Sequence, residues 1–241
     1  MASIASIKNI TEPTFISKDT MRRIISDIKE IKANPLTVHG IYYEHDDTEI
    51  LKGKALIIGP PDTPYADGFY FFKFKFPANY PHAPPEVQFC TSDGETRFNP
   101  NLYRSGKVCL SILNTWKGDQ WSGCQTISSV LLAICTVFTD TPLLNEPGVN
   151  KDHADFLAYN KIITYKNIQV AMFGMLSNVK IKVDFACFVD VMRGHFQQVR
   201  EKVRLRVANE IGKGVNKEVV TTGIYQLNVL INYPALLEMF D

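Results

Sequence analysis

An α/β sandwich is the architecture this sequence predicts, on three observations. Apolar residues recur at helical spacing near the N-terminus. Extended runs with short connections follow, and helical periodicity returns only after a long irregular segment. With 241 residues, 45% apolar and 21% charged, the chain has material for one well-buried domain with an appendage, or for two small domains.

Between Ser17 and Lys32 the apolar positions Met21, Ile24, Ile25, Ile28 and Ile31 form one face of a helix, with Ser17 as its N-cap and Asn34-Pro35 as its stop. Four extended runs come next, "GIYYEH", "ILKGKALIIG", "GFYFFKFKFP" and "PEVQFC", each bounded by Gly, Pro, Asp or Asn. In the third, Phe72, Phe74 and Phe76 alternate with Lys73 and Lys75, the period of a half-buried strand. The short connections favour a four-stranded antiparallel meander.

After Cys90 the regular pattern stops, through "SDGETRFNPNLYRSGKVCLSILNTWKGDQWSG". A long irregular segment that still carries Phe98, Val108, Leu110, Ile112, Trp116 and Trp121 is expected to be ordered and functional. Helices are expected at "TISSVLLAICTVF" and "KDHADFLAYNKIITYKNIQVAMFGML". A third is expected along the face marked by Phe185, Phe188, Val189, Met192, Phe196, Val199 and Val203, and "TTGIYQLNVLINYPALLEMFD" reads as a shorter helical close.

Twenty-six basic and twenty-five acidic residues give a net charge of +1, which lacks the field of a nucleic-acid binder or a polybasic membrane binder. Nine Lys/Arg against four Asp/Glu between Val179 and Lys217 read as a solvated helix face, since Glu201 interrupts the run. No segment approaches the about 20 apolar residues that span a bilayer, and the first residues lack the apolar core of a secretory signal. An intracellular protein is expected, with no nucleic acid or membrane as partner. The Asn9-Ile10-Thr11 sequon is then expected to be unused.

Five cysteines, 90, 109, 124, 135 and 187, contain no C-x-x-C, which argues against a disulfide framework and a structural zinc site. Cys135 lies in the apolar helical stretch and Cys187 in an amphipathic one, and both read as small core residues. Cys90 closes a strand, and Cys124 after Trp-Ser-Gly is the one other exposed candidate. Cys109 differs, standing behind a glycine turn and after Asn99-Pro100-Asn101. A catalytic thiol needs access, a stiff backbone and a donor near the attacked carbonyl. The Pro100 ring restrains the backbone between two amides that both donate and accept. On residue types and spacing alone two readings of Cys109 stay open: a small buried thiol, and a nucleophile. There is no H-E-x-x-H, G-x-S-x-G, Walker loop or G-x-G-x-x-G.

The order of features carries more. A first helix, then "GPPDTPYADGFYFFKFKFPANYPHAPPEVQF", then Asn-Pro-Asn and a cysteine eight positions after the second asparagine, resembles the ubiquitin-conjugating enzymes from about Arg22 to Leu176. Matching positions include Gly59-Pro60, Thr63-Pro64-Tyr65, Gly68, Phe76-Pro77, Tyr80-Pro81, Pro84-Pro85, Pro100-Asn101, Gly106, Cys109-Leu110, Ile112-Leu113, Trp121 and Ile127-Ser128. The insertion "LNTWKGDQWS" and the later "NEPG" look most like the members with terminal extensions.

The resemblance implies that fold, with an active-site crossover between the meander and the later helices. It implies that Cys109 accepts ubiquitin or a ubiquitin-like modifier from an activating enzyme as a thioester and yields it to a lysine amine of a protein substrate or to a ligase. Asn101 would order the loop and serve the oxyanion; no cofactor or metal is required. Arg22 and Arg23 are implied contacts for the activating enzyme, and His82 and Trp121 mark the two loops that ligases of the family grip. Two departures bear on chemistry. Asn99 replaces the usual histidine and would shape the loop through side-chain hydrogen bonds, with Pro100 beside it. Ser111 stands where an aspartate is common, and Glu146 in "NEPG" is the candidate compensating carboxylate for orienting the acceptor. Expected divisions are a tail at 1–16, a catalytic domain at 17–176 and a mainly helical extension at 177–241. Two rivals remain: a binding module of the same fold without chemistry, and a thiol hydrolase acting on ubiquitin conjugates.

Overall fold

In the computed structural model, residues 15–241 are described. The expected tail at 1–16 falls almost entirely outside them, as does Asn9. Helix α1 (Lys18–Ala33) begins where Ser17 accepts a hydrogen bond from the Thr20 amide, and it buries Ile24 and Ile31. The meander follows as β1 (Ile41–His45), β2 (Lys52–Ile58), β3 (Phe69–Lys75) and β4 (Glu86–Phe89), antiparallel in sequence order with Ala55 opposite Phe72 and Phe72 opposite Phe89.

Beyond the irregular segment lie α2 (Ile127–Cys135), opened by a capping box between Thr126 and Ser129, and α3 (Phe156–Lys166). Helix α3 continues through a π-helical stretch (Asn167–Gly174) into the single turn α4 (Met175–Ser177). Asn167 is buried in that stretch, where its Oδ1 accepts from the Tyr70 hydroxyl at 2.6 Å and its Nδ2 donates to the Ala66 carbonyl at 2.9 Å. A widened turn that places a buried amide on a strand tyrosine gives the helix a reason to depart from α geometry.

After Asn178 come α5 (Val179–Asp184), a 3-10 turn (Ala186–Phe188) and the long α6 (Val189–Gly212). Phe185 packs on Phe71 with ring centroids 4.7 Å apart, and Lys73 pairs with Asp184 at 2.7 Å. This segment therefore covers the outer face of the sheet. It explains why β3 alternates only in its second half: Phe69, Tyr70, Phe71 and Phe72 are all buried. Phe196 stacks edge-on against Phe173 at 5.5 Å, and Met192 is buried in the same core.

The extension is mainly helical, but its expected helical close is different. Residues 217–232 form a hairpin of β5 (Lys217–Thr221) and β6 (Asn228–Asn232), joined through a 3-10 turn (Ile224–Gln226), and only α7 (Tyr233–Glu238) is helical. The physical reason is a period of two: Val229 and Ile231 are buried while Leu230 is exposed, and β-branched residues (Val219, Val220, Thr221, Val229 and Ile231) occupy half of the two strands. Among the described residues no helix is long and apolar enough to cross a membrane.

Candidate functional site

The irregular segment packs into a ladder of short bridges. Gln88 pairs with Lys107, Leu102 with both Asn99 and Val108. Gly106 makes the return possible. Its φ is +88°, and a Cβ there would lie 2.9 Å from the Phe89 carbonyl oxygen, so a side chain would break the Phe89 amide to Gly106 carbonyl bond of 2.8 Å.

Asn99 is the hub of this ladder and has no solvent exposure. Its Nδ2 donates to the Tyr65 hydroxyl and to the Val137 carbonyl, both at 2.8 Å, and its Oδ1 accepts from the Asn101 amide at 2.9 Å and from Asn145 Nδ2 at 3.3 Å. Tyr65 in turn donates to the Phe98 carbonyl at 2.7 Å. The loop shape at Asn99-Pro100-Asn101 thus rests on a buried amide, which binds four neighbours where the two nitrogens of a histidine ring would bind two.

Two bonds join Asn101 and Cys109. The Cys109 amide donates to the Asn101 carbonyl at 2.9 Å, and Asn101 Nδ2 donates to the Cys109 carbonyl at 2.7 Å. Past the cysteine the chain curls back: Thr115 Oγ1 accepts from the Leu110 amide at 2.9 Å and lies 2.8 Å from the Val108 carbonyl. The cysteine backbone is therefore fixed from both sides. The same enclosure corrects one expectation: Cys109 is only 2% exposed, not an open thiol. Ser111 begins the 3-10 turn Ser111–Leu113 in this region, half-buried, with its Cβ against Gly118.

The remaining thiols are placed differently. Burial pushes the Cys90 thiol up to about 11, with Lys73 only partly offsetting it, and burial raises Cys135 as well, so both stay protonated at neutral pH. Cys124 is exposed in the loop after Trp121, and Cys187, expected in the core, is exposed too.

Around the rim, Trp121 Nε1 donates to the Pro81 carbonyl at 2.7 Å, which brings Trp121 and the exposed His82 onto one surface. Arg22 is 78% exposed on α1. Arg23, expected beside it as a partner contact, turns inward instead. Its guanidinium binds Asp27 at 2.8 Å and the carbonyls of Gly123 and Gln125, and lies 5.6 Å from the centre of the Tyr80 ring. Arg23 ties α1 to the loop that carries Trp121.

Glu146 is half-buried next to Asn145, one step from the Asn99 hub, and its Oε2 accepts from the Tyr225 hydroxyl. Sequence reasoning missed Tyr225, as it missed Arg97, whose guanidinium donates to the carbonyls of Asn99 at 3.0 Å and Pro100 at 2.6 Å. Neither stands in a motif. Arg97 precedes the Asn-Pro-Asn triplet by two positions and reads as an ordinary surface charge.

Comparison with known proteins gives this geometry a family. The model for "Ubiquitin-conjugating enzyme" matches residues 23–171. The chain is 44% identical over 163 residues to ubiquitin-conjugating enzyme E2 Z of Xenopus tropicalis, covering 66% of this chain and 51% of that protein. It is 45% identical over 157 residues to human ubiquitin-conjugating enzyme E2 Z, covering 64% and 44%. To the probable ubiquitin-conjugating enzyme protein 17 of Caenorhabditis elegans it is 35% identical over 209 residues, covering 81% of this chain and 28% of that one. The chain thus spans about half the length, or less, of the curated relatives it matches. With most of α1, the meander, the Asn-Pro-Asn loop and Cys109 all inside the matched span, this chain belongs to the ubiquitin-conjugating enzyme family.

Proposed function

We propose that the chain accepts ubiquitin or a ubiquitin-like modifier on Cys109 and passes it to a lysine amine of a protein substrate or to a ligase. The observation that carries this reading is the reciprocal bond pair between Asn101 and Cys109, at 2.9 and 2.7 Å. It sets an amide with a second, unspent N–H beside the one cysteine that follows the Asn-Pro-Asn loop.

In the first step the Cys109 thiolate attacks the carbonyl carbon of the modifier's thioester on the activating enzyme, and that enzyme's thiolate leaves. In the second an amine attacks the new thioester and the Cys109 sulfur leaves. A thioester keeps most of the activation supplied upstream, so this chain's work is to position the donor and the acceptor. Asn101 serves the oxyanion through its remaining N–H, and Glu146 and Ser111 face the acceptor. Arg22 is offered to the activating enzyme, and the His82 and Trp121 surface to a ligase. Residues 17–176 carry the chemistry and 177–241 brace it, in an intracellular compartment that keeps the five thiols reduced.

A second reading, a binding module of the same fold, is favoured by the 2% exposure of Cys109. One assay separates them. The chain is incubated with activating enzyme, ATP and ubiquitin, and followed by non-reducing gel and intact mass. Conjugation gives an adduct that thiols remove and Cys109→Ala abolishes. A binding module gives none.

A further inference from the structure

The 3-10 turn Ile224–Gln226 in the extension sits against the active-site loop through Tyr225. The hydroxyl of Tyr225 donates to Glu146 Oε2, its carbonyl accepts from Arg104 Nη2 at 2.7 Å, and its ring centre lies 5.0 Å from the Arg97 guanidinium and 5.9 Å from the Tyr159 ring. Arg97 is packed between this ring and that of Tyr103, at 3.3 Å, while it holds the carbonyls of Asn99 and Pro100. The next residue back, Ile224, donates its amide to Asp155 Oδ2 at 2.8 Å.

The backbone here is strained. Tyr225 and Gln226 have φ of 58° and 51°, a left-handed conformation that is unfavourable for a residue with a Cβ. Such strain persists only where surrounding contacts over-determine it, and it concentrates where a side chain must be held in one place. At Tyr225 the contacts that oppose the strain run to Glu146, Arg104 and Arg97 on the active-site side and to the Tyr159 ring on α3. Glu146 Oε1 accepts no protein hydrogen bond among the described residues, so one carboxylate oxygen is fixed and the other is spare.

We propose that Tyr225 is a positioning residue for the transfer step, acting from the C-terminal extension by fixing the Glu146 carboxylate so that Oε1 receives the ammonium of the incoming lysine. This rests on the conjugating function stated above. Amide formation makes one N–C bond and breaks the C–S bond. The ammonium gives up two protons, one to the Cys109 sulfur and one to solvent. A carboxylate held in place favours that sequence by docking the ammonium next to the thioester through a charge-assisted hydrogen bond. A loose carboxylate docks it less often.

The test uses the full chain and Tyr225→Phe, which keeps the ring over Arg97 and removes only the hydroxyl. Loading from the activating enzyme is measured first. Single-turnover discharge of the thioester is then followed over a range of free lysine concentrations. Loading is expected at the wild-type rate, with the apparent KM for lysine raised about fivefold, the effect of one hydrogen bond. Glu146→Gln raises it too. In the Glu146→Gln background, Tyr225→Phe is expected to change nothing further, because no carboxylate is left to hold. Wild-type discharge by Tyr225→Phe overturns the assignment. So does an equal loss in both backgrounds, or a loss of loading that matches the loss of discharge, since either marks a merely structural role. A wild-type chain that forms no thioester with ubiquitin or any ubiquitin-like modifier overturns the functional reading and this assignment together.

Discussion

Asn99 donates through Nδ2 to the Tyr65 hydroxyl at 2.8 Å, and neither residue has solvent exposure. The pair links the first proline loop of the chain to the Asn-Pro-Asn loop, and through the Val137 carbonyl to the end of α2. Asn99→Ala strands the Asn101 amide, while the Val137 carbonyl keeps its bond from Asn145 Nδ2 at 3.0 Å, and the substitution should destabilise the protein by about 3 kcal/mol. Tyr65→Phe removes the hydroxyl alone. Urea denaturation of both single variants and the double variant should give a coupling of about 1 kcal/mol. Additive losses would show that the two side chains act separately.

Arg22 and Arg23 are neighbours in sequence with opposite placements. Arg23→Ala leaves Asp27, whose side chain is 4% exposed, without its cation, and should cost about 2 kcal/mol in denaturant titration. Arg22→Ala should stay within about 0.5 kcal/mol of the parent. If Arg22→Ala also slows loading by the activating enzyme, that loss belongs to the contact and not to the fold. Equal stability for both variants would remove the distinction.

The contrast shows what the sequence could carry. Helix α1, the four strands and α2 announce themselves through local periodicity and punctuation: α1 meets the core along one face, and the strands are bounded by Gly, Pro, Asp or Asn even where, as in β3, both faces are buried. Asn99, Asn101 and Cys109 are visible because a proline, a glycine turn and a fixed spacing mark them. Arg23 is not, since a helical spacing puts Arg22 and Arg23 on adjacent faces and does not say which face meets the loop at 123–125. Tyr225 and Arg97 are invisible for a related reason: their roles arise from a contact over 128 positions of chain, between segments that look unremarkable apart. The hairpin at 217–232 was hidden by its short strands, whose five-residue alternations are too brief to separate from a helical pattern.

Phe185 carries much of the joint between the extension and the sheet. It is 1% exposed, and its ring meets Phe71 at 4.7 Å. Phe185→Ala should cost about 3–5 kcal/mol, the range for removing a buried aromatic. Amide hydrogen exchange should then show lost protection in 179–188 and along β3 before the rest of the chain. Uniform loss across the whole chain would mean that the extension and the sheet open as one unit.

Asp67 ties the loop before β3 to α6. His195 Nε2 donates to its Oδ1 at 3.2 Å, and Lys202 Nζ lies 3.6 Å from Oδ2. Burial alone would raise its pKa, but the His195 bond and the charges of Lys202 and Arg206 outweigh that and hold it below the ordinary carboxylate value. A depressed folded value means the unfolded chain takes up the proton first as pH falls. The stabilisation is therefore complete above the unfolded value of about 3.9 and is lost as pH drops through the folded value. Asp67→Asn keeps an acceptor for His195 and tolerates the residue's φ of 67°, so it removes the charge and little else. At pH 7 it should be about 1–2 kcal/mol less stable than the parent in urea. The gap should narrow as the pH falls below about 4. A gap that stays constant from pH 7 down to pH 3 would mean that the carboxylate's charge contributes nothing to docking α6.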